Sequence, residues 1–130
     1  MTYPARELCY GTAMTIILRL FAWGLAAAIA YATLGPATQR PHSNLGQNGE
    51  HAFAFVLLGL AFGLAYARAP GRTAILVIVY TGLVEMLQFL APGRHARLSD
   101  FVVDALAACA GLVGARAIDW MIGRFRRSPA

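Results

Sequence analysis

The chain has 130 residues, 58% of them hydrophobic and only 13% charged. A soluble domain typically carries about 25% charged residues. With a mean hydropathy of +0.57 there is too little polar surface to clothe a soluble globule, and the membrane class leads. The net charge of +5 rests on Arg alone, with no Lys. The arginines are scattered between apolar runs, which fits membrane orientation better than a nucleic-acid surface.

A bilayer core of about 30 Å needs roughly 20 apolar residues in a helix. The first stretch to approach this is 16–34, closed by Gly35-Pro36. Residues 1–32 also admit a cleaved signal peptide ending near Ala30-Tyr31-Ala32. That reading is weakened by a long N-terminal region and by Arg19, which interrupts the apolar entry. The second stretch, 52–67, follows Asn48-Gly49 and is short enough to borrow from its polar flank, Glu50-His51. Pro70-Gly71 separates it from the third stretch, 73–91, which Pro92-Gly93 ends. A proline disfavours helix for the residue before it, so Ala69 and Ala91 are natural stops. The fourth stretch is 101–122. These elements predict an all-α integral membrane four-helix bundle, with residues 1–130 forming a single domain. Cys9 and Cys109 make no disulfide framework, and neither has a metal-ligand partner at suitable spacing.

Arg6, Arg68, Arg72, Arg124, Arg126 and Arg127 flank one side of these spans, and Arg19 and Arg116 lie near it. The other side holds Arg40, Arg94 and Arg97. The positive-inside rule then places both termini in the cytoplasm and loops 35–51 and 92–100 outside. In a bacterium the location is the plasma (inner) membrane.

Glu85 lies about two turns below the outer end of the third span, where a charged side chain costs roughly 2.5–3.5 kcal/mol on insertion scales. It is expected to face the bundle interior, be paired, or be protonated. Gln88 is three residues on and shares its face. Ser99 is a suitable helix N-cap, and Asp100 suits the positive end of the first turn. Asp100, Asp104, Ala107 and Gly111 then recur on one helical face, acidic at the top and small below, a pattern that permits close helix packing. With Glu50 and His51 at the start of the second span, these groups converge on one membrane face. The expected outward pocket comprises Glu85, Gln88, Arg94, Asp100, Asp104 and His51, with Glu50 and Arg97 at its margin. Each residue also has a plainer reading. Glu85 and Arg94 suit a structural ion pair, Asp100 a helix-start acid, His51 an interfacial residue, and Gln88 an interhelical hydrogen bond. Arg116 and Asp119, three apart, suit a structural pair beside Trp120.

Two stretches resemble the VanZ-like family of small bacterial membrane proteins. One is Glu85-x-x-Gln88-x3-Pro92-Gly93-Arg94 followed by Asp100-x3-Asp104-x6-Gly111; the other is His51-x3-Phe55-x2-Leu58-Gly59. The resemblance covers about residues 45–115. This chain has Gln47-Asn48 where the family often has an Asp-Lys pair, Asp104 where it usually has Asn, and Ala107 where it usually has Gly. The family is named from a protein linked to low-level resistance to teicoplanin, a lipoglycopeptide. The resemblance therefore implies an envelope protein more firmly than it implies resistance.

Three functions follow as expectations. The first is an envelope protein that alters glycopeptide susceptibility through the outward pocket. Its partners would be membrane lipid and a lipid-linked wall precursor or lipoglycopeptide; it needs no cofactor, metal ion or nucleic acid. The second is an intramembrane enzyme acting on a lipid-linked phosphate or glycan. There Glu85, Asp100 and Asp104 would hold a divalent metal, or Glu85 would act as a general base. No nucleophile motif or HExxH supports it. The third is a small transporter or complex subunit, for which so few spans would require a homo-oligomer.

Overall fold

A computed structural model describes residues 12–35, 46–90 and 97–126. It contains α1 (Thr12–Leu34), α2 (Gly46–Ala65), α3 (Pro70–Leu90) and α4 (Leu98–Phe125), with no strand among the described residues. The all-helical bundle expected from the apolar runs is therefore present.

The helices overrun those runs at several ends, for local reasons. Pro70-Gly71 opens α3 and does not precede it. A proline at the first helical position loses nothing, since its missing N–H would have no intrahelical acceptor. Ala69 does act as a boundary: its carbonyl accepts from the backbone N–H of Thr73 at 2.9 Å and from the Thr73 hydroxyl at 2.8 Å. Asn48-Gly49 lies inside α2 and not before it. At α4 the N-cap is Arg97, with no side-chain cap hydrogen bond, and not Ser99. Ser99 lies within the first turn and donates to Asp100 Oδ1 at 3.3 Å.

Helix α2 is the hub. It packs on all three other helices, most extensively on α4, whereas α1 and α4 do not meet. Gly59 of α2 abuts the backbone of Ala108 on α4, and Gly111 of α4 abuts the backbone of Val56 and Leu60 on α2. Gly63 faces Ala115 further along, so these two helices run in the same direction. A side chain at Gly59 or Gly111 would occupy space already held by main chain, so this crossing requires glycine on both partners. The small face of α4 is rotated slightly from expectation: Asp104, Ala108, Gly111 and Ala115 are buried, and Ala107 is only partly so.

Helices α1 and α3 complete the bundle. The Trp23 indole N–H donates to the Tyr66 hydroxyl at 3.0 Å, and Trp23 meets Phe62 edge to face. The Tyr80 hydroxyl donates to the Ala26 carbonyl, joining α3 to α1. The residues buried at the centre include Ala22, Ala26, Phe55, Leu58, Val77 and Val84. Around them stand large exposed apolar side chains, among them Leu20, Phe21, Ile75, Met86, Phe89 and Leu106. In water each would cost about 25 cal/mol per Å² of apolar surface left uncovered; against lipid tails that cost vanishes. Helices α1, α3 and α4 are long and apolar enough to cross a membrane, while the apolar part of α2 is the shorter Gly49–Ala65. The N-terminal turns of α2 are polar because they carry Glu50 and His51.

Candidate functional site

Four polar side chains of α3 fall on its buried face, Thr73, Thr81, Glu85 and Gln88, interleaved with Val77 and Val84. The two threonines satisfy themselves locally. Thr81 donates to the carbonyl of Val77 at 2.8 Å, as Thr73 does to that of Ala69. Glu85 and Gln88 have no such local exit. Both carboxylate oxygens of Glu85 and Nε2 of Gln88 are buried without a hydrogen-bond partner, and so is Oδ2 of Asp104 on α4. Glu85 and Gln88 are each only 7% exposed, and Asp104 only 2%. Leaving such groups unpaired costs roughly 1–3 kcal/mol each, more where charge is involved.

His51 closes the cluster from the start of α2. Its Nδ1 lies 3.8 Å from Oδ2 of Asp104. That is within ion-pair range but too long for a hydrogen bond, which is why the Asp104 oxygen still lacks a donor. One ligating atom each from His51, Glu85 and Asp104 lies within 4.8 Å of the other two. Glu85 and Asp104 are buried and His51 is half-buried, so His51 is the member of the cluster with exposed surface.

Three helices thus deliver one side chain each: α2 supplies His51, α3 Glu85 and α4 Asp104. Gln88 is buried on the Glu85 face of α3. Asp100 occupies the first turn of α4, half-buried and bonded to Ser99, and is not one of the three clustered residues. Arg97 is exposed at the head of α4, and Arg94 lies outside the described residues. The sequence already sets Asp104 a turn deeper than Asp100 on the same helical face; that Asp104 meets His51 and Glu85 while Asp100 is not in the cluster is decided by the packing of α4.

The opposite end of the bundle is basic. The Arg19 guanidinium sits over the Tyr66 ring, 4.9 Å from its centroid, and Arg124 sits over Trp120 at 5.3 Å. Arg116 donates to the carbonyl of Ala67 at 3.3 Å, just beyond the end of α2. It therefore caps a turn, and no hydrogen bond joins it to Asp119, whose two carboxylate oxygens are buried without a hydrogen-bond partner; within the expected structural pair Arg116 acts on Asp119 through charge alone. The Ala67 carbonyl lies just past the last turn of α2, where carbonyls lack intrahelical donors, and it takes the Arg116 hydrogen bond.

Together these features define an all-helical membrane protein with a carboxylate-rich polar cluster buried at one end and an arginine-rich opposite end. The chain matches the family described as VanZ/LLP1 over residues 12–119, and it belongs to that family. The match reaches beyond the 45–115 segment to take in α1 and most of α4. No curated protein and no solved structure matches the chain.

Proposed function

We propose that this protein spans the bacterial plasma membrane four times with both termini inside. In this reading the pocket around Glu85, Gln88, Asp104 and His51 opens to the outside, with Asp100 at its rim, and Arg94, from the expected outer loop 92–100, contributes to ligand binding. It takes the polar head of an amphiphile in the outer leaflet, a lipid-linked wall precursor or a lipoglycopeptide, and so lowers susceptibility to teicoplanin. One observation carries this reading: Glu85, Gln88 and Asp104 are buried without hydrogen-bond partners at the end of the bundle remote from Arg19, Arg116 and Arg124. Polar groups held ready in this way at membrane depth are costly, and a ligand that pairs them offsets the cost. The arginine-rich end supports a cytoplasmic placement for itself and an outward one for the pocket.

The test is teicoplanin susceptibility of a Gram-positive host, which lacks an outer membrane to mask the drug. Wild type, Glu85→Gln and Arg94→Ala are compared at matched membrane abundance. The expected result is lowered susceptibility with wild type and loss of the effect in both variants. No change with wild type would confine the family likeness to fold, and the search would move to native lipids bound near Glu85. A second reading, an intramembrane enzyme, is favoured by the three-residue cluster, in which His51 stands where Asp100 was expected.

A further inference from the structure

We propose that His51, Glu85 and Asp104 form a binding site for one divalent transition-metal ion of the zinc class. The three side chains come from three different helices yet present ligating atoms all within 4.8 Å of one another. Around a tetrahedral ion with bonds of about 2.0–2.2 Å, ligand atoms stand roughly 3.4 Å apart. Binding an ion would draw these atoms together by up to roughly 1.4 Å.

Two further observations point to a cation and not merely to clustered acids. Glu85 is 7% exposed and has no partner for either oxygen, although one of those oxygens faces the other two residues. Asp104 is 2% exposed with Oδ2 likewise unpartnered. Two buried carboxylates side by side need a compensating positive charge, and the imidazole of His51 stands 3.8 Å from the Asp104 oxygen, beyond hydrogen-bond reach. A doubly charged ion balances both carboxylates and uses His51 as a neutral nitrogen donor. One nitrogen and two carboxylate oxygens suit zinc, manganese or ferrous iron better than magnesium or calcium, which prefer oxygen alone. Gln88 lies one turn along α3 from Glu85 with a buried, unpartnered Nε2. An amide N–H on the Glu85 face is the kind of donor that metal sites regularly use to support a ligating carboxylate. Three protein ligands leave a coordination position open, as in catalytic and not structural zinc sites.

This deepens the pocket reading and rests on it for the side from which the ion enters. Ion binding itself is measured without any drug, so the two ideas fail separately. The full chain, carrying a tag free of histidine, is purified in detergent, stripped with a chelator and reloaded with Zn²⁺ or Co²⁺ alone. Elemental analysis after gel filtration should find one ion per chain, and the Co²⁺ form should show visible absorption that changes in His51→Ala. Losing a supporting contact typically weakens binding by about 10–100-fold, so Gln88→Ala should fall in that range and Glu85→Gln and Asp104→Asn should lose at least about 100-fold. Circular dichroism and elution volume establish that each variant is folded. Folded wild type that retains no ion overturns the site and leaves a proton shared between the two carboxyls. Wild-type affinity in a folded variant combining His51→Ala, Glu85→Gln and Asp104→Asn overturns it equally, by placing the ion elsewhere.

Discussion

Nδ1 of His51 on α2 and Oδ2 of Asp104 on α4 lie 3.8 Å apart. About two helical turns further along, the same two helices meet backbone to backbone at Gly59 and Gly111. The glycine crossing sets the distance across the polar cluster. Two parallel helices pinned this closely at one level cannot be far apart at the next, so histidine and aspartate are held together without a hydrogen bond between them.

Gly111→Ala should therefore be costly for so small a change. Its Cβ would meet the carbonyl of Val56 and the backbone N of Leu60, and neither can swing aside as a side chain would. Overpacking of this kind costs about 1–3 kcal/mol, and Gly59→Ala, facing the Ala108 carbonyl, should behave alike. Gly24→Ala is the control, because nothing lies within 4 Å of its added methyl. It should be neutral or gain up to about 1 kcal/mol from helix propensity. Thermal unfolding in detergent of the three variants checks the contrast.

Glu85→Gln and Asp104→Asn remove a buried charge at nearly constant shape. In metal-free protein each should leave folding intact; Glu85→Gln should raise stability by about 1 kcal/mol, because an unpartnered carboxylate costs more to bury than a neutral amide, whereas Asp104→Asn also gives up the ion-pair contact with His51 and should gain less. Membrane abundance should be normal while any pocket-dependent phenotype is lost. A drop of several kcal/mol on either change would mean that the carboxylate is already paired in the resting protein.

Trp23→Phe keeps the aromatic packing against Phe62 but deletes the indole N–H that reaches the Tyr66 hydroxyl at 3.0 Å. A loss of about 0.5–1.5 kcal/mol is expected, the usual net worth of one hydrogen bond. Tyr66→Phe should lose a similar amount, and the double variant little more than either single one, as contacting residues are not additive. Unfolding of the set in one detergent measures the coupling.

Orientation is tested by labelling. In a background of Cys9→Ser and Cys109→Ala, a single cysteine placed by Ser99→Cys should react with a membrane-impermeant maleimide added to intact cells. Arg126→Cys should react only after the membrane is opened. Both native positions are exposed, so reactivity reports the side of the membrane and not burial. The reverse pattern would turn the pocket toward the cytoplasm and remove the basis for action on an outer-leaflet ligand.

Composition alone determined the class of this protein. With 58% of its residues hydrophobic and 13% charged, it has no soluble surface to offer, and its apolar runs are helical in length. Periodicity also placed Glu85 with Gln88 on one face and made Asp104 the deeper acid of α4, because side chains three and four apart share a helical face whatever surrounds them. Tertiary structure decided the rest. The spacing of Asp100, Asp104, Ala107 and Gly111 marks a face but not the angle at which a neighbour meets it, so Ala108 is buried where Ala107 was expected. The spacing of Arg116 and Asp119 could not reveal the Ala67 carbonyl waiting across the bundle. Gly59 became significant only against Ala108, and His51 only against Asp104. Each of these depends on how closely two helices far apart in the chain approach, a distance that no single helix's sequence contains.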